Sequence, residues 1–97
     1  MIRSFLGRGT ADVFHGRDTR KARQACPRPL WRVAQRKLDQ LNAAAAPSDL
    51  GAPRANRLEA SQGDRDGQWS IRINDQYRVC FRWAANGPHD VEIVDYH

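Results

Sequence analysis

Residues 63–97 read GDRDGQWSIRINDQYRVCFRWAANGPHDVEIVDYH, and their apolar side chains alternate with a period of two. The alternation occurs in two runs, at 69–73 and 77–83, which are separated by residues 74–76. Alternating apolar runs joined by turn-forming residues are typical of a β-hairpin with one buried face. We therefore predict a hairpin over residues 69–83, followed by another turn and a final strand.

The parity of the apolar positions also predicts the register of this hairpin. If both runs cover one core, Ile71 must lie opposite Val79, because a slip of one residue turns every side chain to the other face. Arg72 then lies opposite Arg78 on the other face. Like charges in facing positions destabilise a sheet unless an anion lies between them. The conflict indicates that this face binds a negatively charged ligand.

Length and charge limit the kinds of protein that the chain can be. Its 97 residues suffice for one domain, over 1–97, with one hydrophobic core. No run of about 18 apolar residues occurs, so no membrane partner is predicted. The net charge is +5, and of 16 basic residues only Lys21 and Lys37 are lysines. Arginine suits phosphate binding, although codon bias also contributes. The charge predicts a polyanion or an acidic protein as partner.

The cysteines and the motifs limit which cellular compartment and which kind of chemistry the sequence predicts. Cys26 and Cys80 form no metal-spaced pair and are interpreted as free thiols of a cytoplasmic protein. The arginine-rich first 32 residues resemble a transit peptide, but Asp12 and Asp18 interrupt them, which disfavours targeting. The sequence contains no metal-ligand spacing, glycine-rich phosphate loop or nucleophile elbow. Chemistry without a metal or other cofactor is therefore favoured.

The first third of the chain predicts a strand and irregular structure. Residues 1–6 form a short apolar segment and are predicted to be the first strand. Thr10 is predicted to cap a short helix over 11–15. Residues 16–29 are basic and almost without apolar side chains, so we predict a solvated loop or a frayed helix there.

The middle of the chain predicts the main helix. Apolar side chains recur at three- and four-residue spacing from Leu30 onward, and Pro47 stops the helix, whose other face is basic and includes Arg36. Residues 56–60 are predicted to form a strand and 62–67 a turn. The predicted fold class is α+β: a small antiparallel sheet with N-terminal helices packed on one face and arginines on the other.

The polar residues predicted on the uncovered face suit the cleavage of RNA. Cleavage without a metal requires a base for the 2′-hydroxyl, a cation for the phosphorane and an acid for the leaving 5′-oxygen. The candidate residues that we expect to converge on this face are Arg57, Glu59, Arg65, Arg72, Arg78, Arg82, Asp95, Tyr96 and His97. Arg36 on the basic helix face is added to them as an RNA-binding residue.

Each candidate has a functional and an ordinary structural interpretation. His97 titrates near neutrality and can act as acid or base, or it is only a frayed terminal residue. Tyr96 can stack on an unpaired base or be a half-buried strand residue. Arg72 and Arg78 are candidate phosphate clamps or solvated side chains. Glu59 is a candidate base or a salt-bridge partner of a nearby arginine.

The residues quoted above, together with MIRSF at the start and NRLEA before the hairpin, resemble the HigB toxins of the RelE/ParE superfamily. The similarity covers almost the whole chain and is weakest at 16–29. It implies a microbial-ribonuclease-like fold and a ribosome-dependent endoribonuclease that cuts messenger RNA in the decoding site. It also implies a cognate antitoxin, usually a HigA-like helix-turn-helix protein that represses the shared operon.

The resemblance further implies roles for individual residues. The terminal acid, tyrosine and histidine of the family fall on Asp95, Tyr96 and His97, and its hairpin arginine falls on Arg78. Where well-studied members have a histidine before the hairpin, this chain has Glu59. A carboxylate accepts a proton at neutral pH but is a poor donor. We therefore expect Glu59 to act as base or orienting group, His97 as acid, and Arg78 to stabilise charge on the phosphate.

Two other functions fit the same residues. The related ParE branch implies a non-enzymatic inhibitor of DNA gyrase, in which the arginine face only docks. A basic RNA-binding module without chemistry would bind RNA with a steep dependence on salt and leave it intact. The three terminal side chains favour the nuclease.

Overall fold

A computed structural model describes residues 1–52, 54–60 and 67–96. Three helices precede four strands in the chain. The helices are α1 (Arg8–Phe14), α2 (Arg20–Ala25) and α3 (Trp31–Ala43), and the strands are β1 (Glu59–Ala60), β2 (Gln68–Arg72), β3 (Tyr77–Ala84) and β4 (Gly87–Asp95). Short 3₁₀ turns occupy Arg28–Leu30, Pro47–Gly51 and Arg54–Asn56. The sheet has the antiparallel order β1-β2-β3-β4, which confirms the predicted α+β class.

The hairpin forms in the predicted register. Ile71 pairs with Val79, and each strand turns its alternate side chains toward one core. The side chain of Asn74 closes the connection, because its Oδ1 accepts hydrogen bonds from the backbone N–H groups of Gln76 (2.9 Å) and Tyr77 (2.7 Å). An asparagine that bonds backbone groups two and three residues ahead stabilises a tight turn.

The core lies between the sheet and the helices. The apolar side chains of α3 that contribute to it recur at helical spacing, as predicted, and are Trp31, Ala34, Leu38 and Leu41. The sheet contributes the odd-numbered side chains Ile71, Ile73, Val79, Phe81, Val91 and Ile93. Burial of this one face leaves the even-numbered side chains of the hairpin on the opposite side of the sheet. None of the helices formed by the described residues is both long and apolar enough to cross a bilayer.

The N-terminal segment differs from the prediction. Residues 1–6 form no full strand; Phe5 makes an isolated parallel bridge with Val91, flanked by the hydrogen bonds Val91 N–H to Ser4 O (3.1 Å) and Leu6 N–H to Val91 O (3.0 Å). The reason is that the chain turns at Gly7, with φ at 88°, and helix α1 begins immediately afterwards.

The predicted cap of the first helix is also wrong. Helix α1 starts at Arg8, and Thr10 lies buried within it. Its Oγ1 accepts the N–H of Ile93 at 3.0 Å, so the hydroxyl joins the helix to strand β4 instead of capping the helix. Of the two predictions for residues 16–29, the helical one is confirmed over part of the range: Thr19 caps α2 by accepting the N–H of Ala22 at 3.1 Å.

Helix α3 ends earlier than the predicted stop at Pro47. The carboxylate of Asp49 accepts the N–H groups of Ala45 (2.8 Å) and Ala46 (3.1 Å), which therefore do not extend the helix. Ala44 is already extended, with ψ at 139°. A side chain that satisfies these backbone donors offers an alternative to another helical turn, despite the high helix propensity of alanine.

The strand predicted at 56–60 is shorter in the structure. Only residues 59 and 60 pair with β2, whereas Asn56 belongs to a 3₁₀ turn and Arg57 is left-handed, with φ at 45°. The buried side chain of Asn56 bonds inward and holds the chain in this turn. The turn predicted at 62–67 falls almost entirely on residues 61–66, which lie outside the described ranges.

Candidate functional site

A shallow pocket of about 260 Å³ opens on the face of the sheet opposite the helices. We call it the arginine cleft, and its lining residues are Arg57, Glu59, Arg72, Asn74, Asp75, Arg78 and Tyr96. Three guanidinium groups and two carboxylates meet there beside one aromatic ring. The cleft lies where β1, the turn of the hairpin and the end of β4 come together.

Arg78 is the most enclosed of these arginines, with 8% of its surface exposed. Its Nε donates to Ser70 Oγ at 2.8 Å, and its Nη2 donates to the carbonyl oxygens of Arg57 (2.6 Å) and Ser70 (3.2 Å). Three hydrogen bonds from one planar group fix its position and direction. Because Ser70 and Cys80 are also buried, the prediction that this face is open is wrong at its centre.

Arg72 is held differently, although it lies directly opposite Arg78. Its Nη2 donates to Asp75 Oδ1 at 2.5 Å, an ion pair between the strand and the turn that follows it. This hydrogen bond, together with the charge of Arg72, lowers the pKa of the Asp75 carboxyl. The guanidinium therefore remains at the rim of the cleft, paired with an exposed carboxylate.

Tyr96 covers the cleft from the end of β4. Its ring centre lies 5.7 Å from the guanidinium carbon of Arg78, which is within the range of a cation–π contact. The backbone N–H of Tyr96 donates to Gln76 O at 2.7 Å, so the residue is tied to the hairpin just beyond the last paired position. Tyr96 is 40% exposed, which leaves it accessible to a stacking partner.

Glu59 brings a carboxylate to the same cleft from β1. It pairs with Ser70 across the strands, and its Oε2 lies 4.0 Å from Nη2 of Arg78. The Glu59 side chain is 60% exposed, so the carboxylate is accessible from solvent. Asp95 lies beside the cleft and not in its lining, and its Oδ2 accepts a hydrogen bond from Nε2 of Gln76 at 3.0 Å.

The remaining candidates lie elsewhere. Arg82 is farther along β3, past an irregularity in the pairing, with its Nε 4.0 Å from Asp90 Oδ2. Arg36 is exposed on α3, beyond the lining of the cleft. Arg65 and His97 fall outside the described residues. Five of the ten predicted residues, Arg57, Glu59, Arg72, Arg78 and Tyr96, thus share one cleft.

Four residues in or behind the cleft are absent from the predicted site residues. Asn74 and Asp75 line the cleft but read in sequence only as turn formers. Lys37 and Asn56 are buried behind it, and no periodicity marks a buried polar pair. Within the ranges 1–52, 54–60 and 67–96, no group of three or more histidine, cysteine, aspartate or glutamate side chains is placed to hold a metal ion.

Comparison with known proteins identifies the family to which this chain belongs. The family model described as a RelE-like toxin of the type II toxin–antitoxin system HigB matches residues 5–97. Toxin HigB-1 of Vibrio cholerae is 43% identical over 64 residues, which cover 66% of this chain and 67% of that protein. An uncharacterized protein of Haemophilus influenzae is 38% identical over 60 residues, which cover 62% of this chain and 59% of that protein. The chain belongs to the HigB-like family of RelE-like toxins of type II toxin–antitoxin systems.

Proposed function

We propose that the protein is a messenger-RNA endoribonuclease that acts on the ribosome, inhibits translation and is neutralised by a cognate antitoxin. The observation that carries the proposal is the placement of Arg78 between the carboxylate of Glu59 and the ring of Tyr96 in one cleft. The cleft thus holds two of the three groups that cleavage at a phosphodiester needs, a cation and a proton acceptor, beside a ring on which an RNA base can stack.

The arginine cleft suits the binding of one phosphodiester. Arg57 and Arg72 supply positive charge at the rim, and Arg78 supplies a guanidinium that is already fixed in direction. Preorganised donors stabilise developing charge without having to reorganise during the reaction. The exposed ring of Tyr96 offers a surface for one unpaired base, since aromatic stacking is the usual way to hold single-stranded RNA.

The reaction follows from these groups. Glu59 takes the proton of the 2′-hydroxyl, whose oxygen attacks the adjacent phosphorus and forms a pentacovalent phosphorane. Arg78 stabilises the added negative charge. The bond to the 5′-oxygen then breaks, and an acid returns a proton to that oxygen, leaving a 2′,3′-cyclic phosphate and a free 5′-hydroxyl. We assign the acid to His97, which follows Tyr96 directly in the chain. Asp95 and its hydrogen bond to Gln76 stabilise the end of β4.

Charge supports both proposed partners. The net charge of +5 favours association with ribosomal RNA and with an acidic surface of an antitoxin. We propose a HigA-like helix-turn-helix protein as that antitoxin, and a cytoplasmic site of action follows from the ribosome as target.

The test is cleavage of a defined messenger RNA by the purified protein, with and without translating ribosomes. We expect cuts only when ribosomes are present, much slower cleavage by the Glu59→Gln variant, and inhibition by the co-purified antitoxin. Intact RNA under all conditions, with a block of replication after induction in cells, would contradict the proposal and favour a ParE-like gyrase inhibitor. Binding of RNA without any cleavage would favour the RNA-binding module.

A further inference from the structure

Lys37 is a buried cation on the inner side of the cleft, with 5% of its surface exposed. Its Nζ donates a short hydrogen bond to Oδ1 of Asn56. Within the described part of the chain, no carboxylate lies at ion-pair distance from this ammonium group. Burial, and then the charges of Arg36 and Arg72, lower its pKa. A buried cation is costly unless it is bonded, so the contact with Asn56 is a strong constraint.

Asn56 is fully buried and bonded through both ends of its amide. Besides accepting from Lys37, it donates from Nδ2 to Leu50 O and to Gln40 Oε1, both at 3.0 Å. One side chain thus joins the turn at Arg54–Asn56 to helix α3 and to the turn at Pro47–Gly51. A buried amide whose groups are all satisfied holds its backbone in one position.

The next residue in the chain forms part of the arginine cleft. Arg57 has a φ of 45°, a conformation that non-glycine residues rarely adopt and that persists only when the surroundings enforce it. In this conformation the carbonyl oxygen of Arg57 accepts the 2.6 Å hydrogen bond from Nη2 of Arg78. A continuous series of contacts therefore runs from α3 through Lys37, Asn56 and the Arg57 carbonyl to the guanidinium of Arg78.

We propose that Asn56, held by Lys37, is the positioning residue for Arg78. It enforces the left-handed turn at Arg57, and the turn presents the carbonyl that fixes the direction of the guanidinium. The inference deepens the proposed nuclease function and rests on it, since it assigns the orientation of the phosphate-binding cation to a residue that does not touch RNA. Without Asn56, Arg78 keeps its charge but loses one of its fixed partners.

The test compares two asparagine-to-alanine variants. Asn56→Ala removes the proposed positioning contact. Asn42→Ala is the control, because Asn42 Oδ1 accepts a single hydrogen bond, from the N–H of Ile2 at 2.9 Å. Neither Asn42 nor Ile2 is close in sequence to the cleft residues. Folding is monitored by thermal unfolding. The direct readout is hydrogen exchange of the Arg78 Nε–H in a ¹⁵N-labelled protein, because this group bonds to Ser70 in the native state.

We expect Asn56→Ala to accelerate Arg78 Nε–H exchange and to lower the single-turnover rate of RNA cleavage by roughly 10- to 100-fold, as misplaced catalytic groups do. Asn42→Ala should change neither, even where it lowers the unfolding temperature by as much. If Asn56 acts only through Arg78, the double variant Asn56→Ala, Arg78→Ala should bind RNA with the same affinity as Arg78→Ala alone. Lys37→Met, which keeps the Asn56 bonds to Leu50 and Gln40, should show the same pattern in weaker form.

The outcomes separate the two proposals. Unchanged Nε–H exchange in Asn56→Ala, or in Lys37→Met if the alanine variant does not fold, overturns the positioning role. Equal effects of Asn56→Ala and Asn42→Ala on exchange and cleavage also overturn it, because both variants would then act through a loss of overall stability. Altered exchange in a protein that never cleaves RNA supports the positioning role and rejects the nuclease.

Discussion

Arg72 and Arg78 face each other on neighbouring strands, yet their guanidinium groups bond to opposite sides of the cleft. Arg72 reaches forward to the carboxylate of Asp75, whereas Arg78 turns back onto Ser70 and the carbonyl of Arg57. Facing like charges repel, and the separate partners reduce this cost without removing either charge. The pair therefore remains a place where an anion is favoured, as the register of the hairpin predicts.

Arg78→Lys keeps the charge at this position and removes the planar fork. An ammonium group cannot bond to Ser70 and the Arg57 carbonyl in the same geometry. We expect a fall of about 2 kcal/mol in RNA binding, roughly thirtyfold in affinity, measured by fluorescence anisotropy with a short RNA. Arg82→Lys on the same strand is the matched control. Unchanged affinity in Arg78→Lys would mean that charge alone matters, and an equal loss in both variants would mean that the fork of Arg78 has no special role.

Asp75→Asn releases Arg72 from its ion pair at the rim of the cleft. Arg72 lowers the pKa of Asp75 below its ordinary value of 3.8, so the pair stays ionised throughout the neutral range and dissolves only as the pH falls through that lowered value. With the carboxylate gone, Arg72 can bind a phosphate. We expect tighter RNA binding and a salt dependence steeper by about 0.7 in log–log slope. A slope equal to that of the wild type at pH 7 would contradict this.

Tyr96→Phe and Tyr96→Ala distinguish a stacking role from a hydroxyl role. The ring lies over Arg78 and is partly exposed. If it stacks on a base, phenylalanine should retain RNA affinity, and alanine should lose about 1–3 kcal/mol of it. The measurement is a titration with RNA that carries an abasic site at successive positions. Loss of affinity in the phenylalanine variant would point to the hydroxyl group.

Glu59→Gln tests the proton acceptor without changing the shape of the side chain. Glu59 lies near Arg78 and is exposed, so the substitution removes a negative charge beside the phosphate site. We expect RNA affinity to stay the same or rise, while single-turnover cleavage falls by about 10²- to 10⁴-fold. Glu92→Gln on β4 serves as control. Undiminished cleavage in Glu59→Gln would assign the base elsewhere.

Cys26 links stability to alkaline pH. Burial raises the pKa of its thiol to about 11, whereas the unfolded chain ionises at the ordinary value of 9.0. Because the pKa is higher in the folded state, the stabilisation by the buried, protonated thiol is complete below pH 9.0 and is lost as the pH rises toward 11. We expect the free energy of unfolding in urea to fall by about 1 kcal/mol between pH 8 and pH 10 through this group. Cys26→Ala should lack that part of the decline; the same decline in both proteins would exclude the thiol as its source.

The hairpin could be predicted from sequence because one simple periodicity governs it. Once Ile71 and Val79 share a face, parity sets the pairing, and the arginines must follow onto the other face. The end of α3 could not be predicted in this way, because a single carboxylate at Asp49 competes with a strongly helical run of alanines. Thr10 reads as a helix cap, and only the packing of α1 against β4 gives its hydroxyl another partner.

The sequence predicts which residues form the site better than it predicts how they are arranged. Alternation placed Arg72 and Arg78 on one face and Tyr96 at the end of the last strand, and all three line the cleft. It could not indicate that Arg78 is buried on Ser70, because burial there results from side-chain direction and not from residue type. Nor could it identify Asn56, whose role depends on a helix residue nineteen positions earlier in the chain.

The outer edge of β4 has a consequence for the behaviour of the protein at high concentration. The backbone N–H groups of Val91 and Ile93 point away from the sheet, and they donate to Ser4 O and to the Thr10 hydroxyl. Exposed strand margins with free donors recruit other chains and seed aggregates. Pairing of two copies along this edge therefore requires the first ten residues to detach, and we expect their removal to increase aggregation at high concentration.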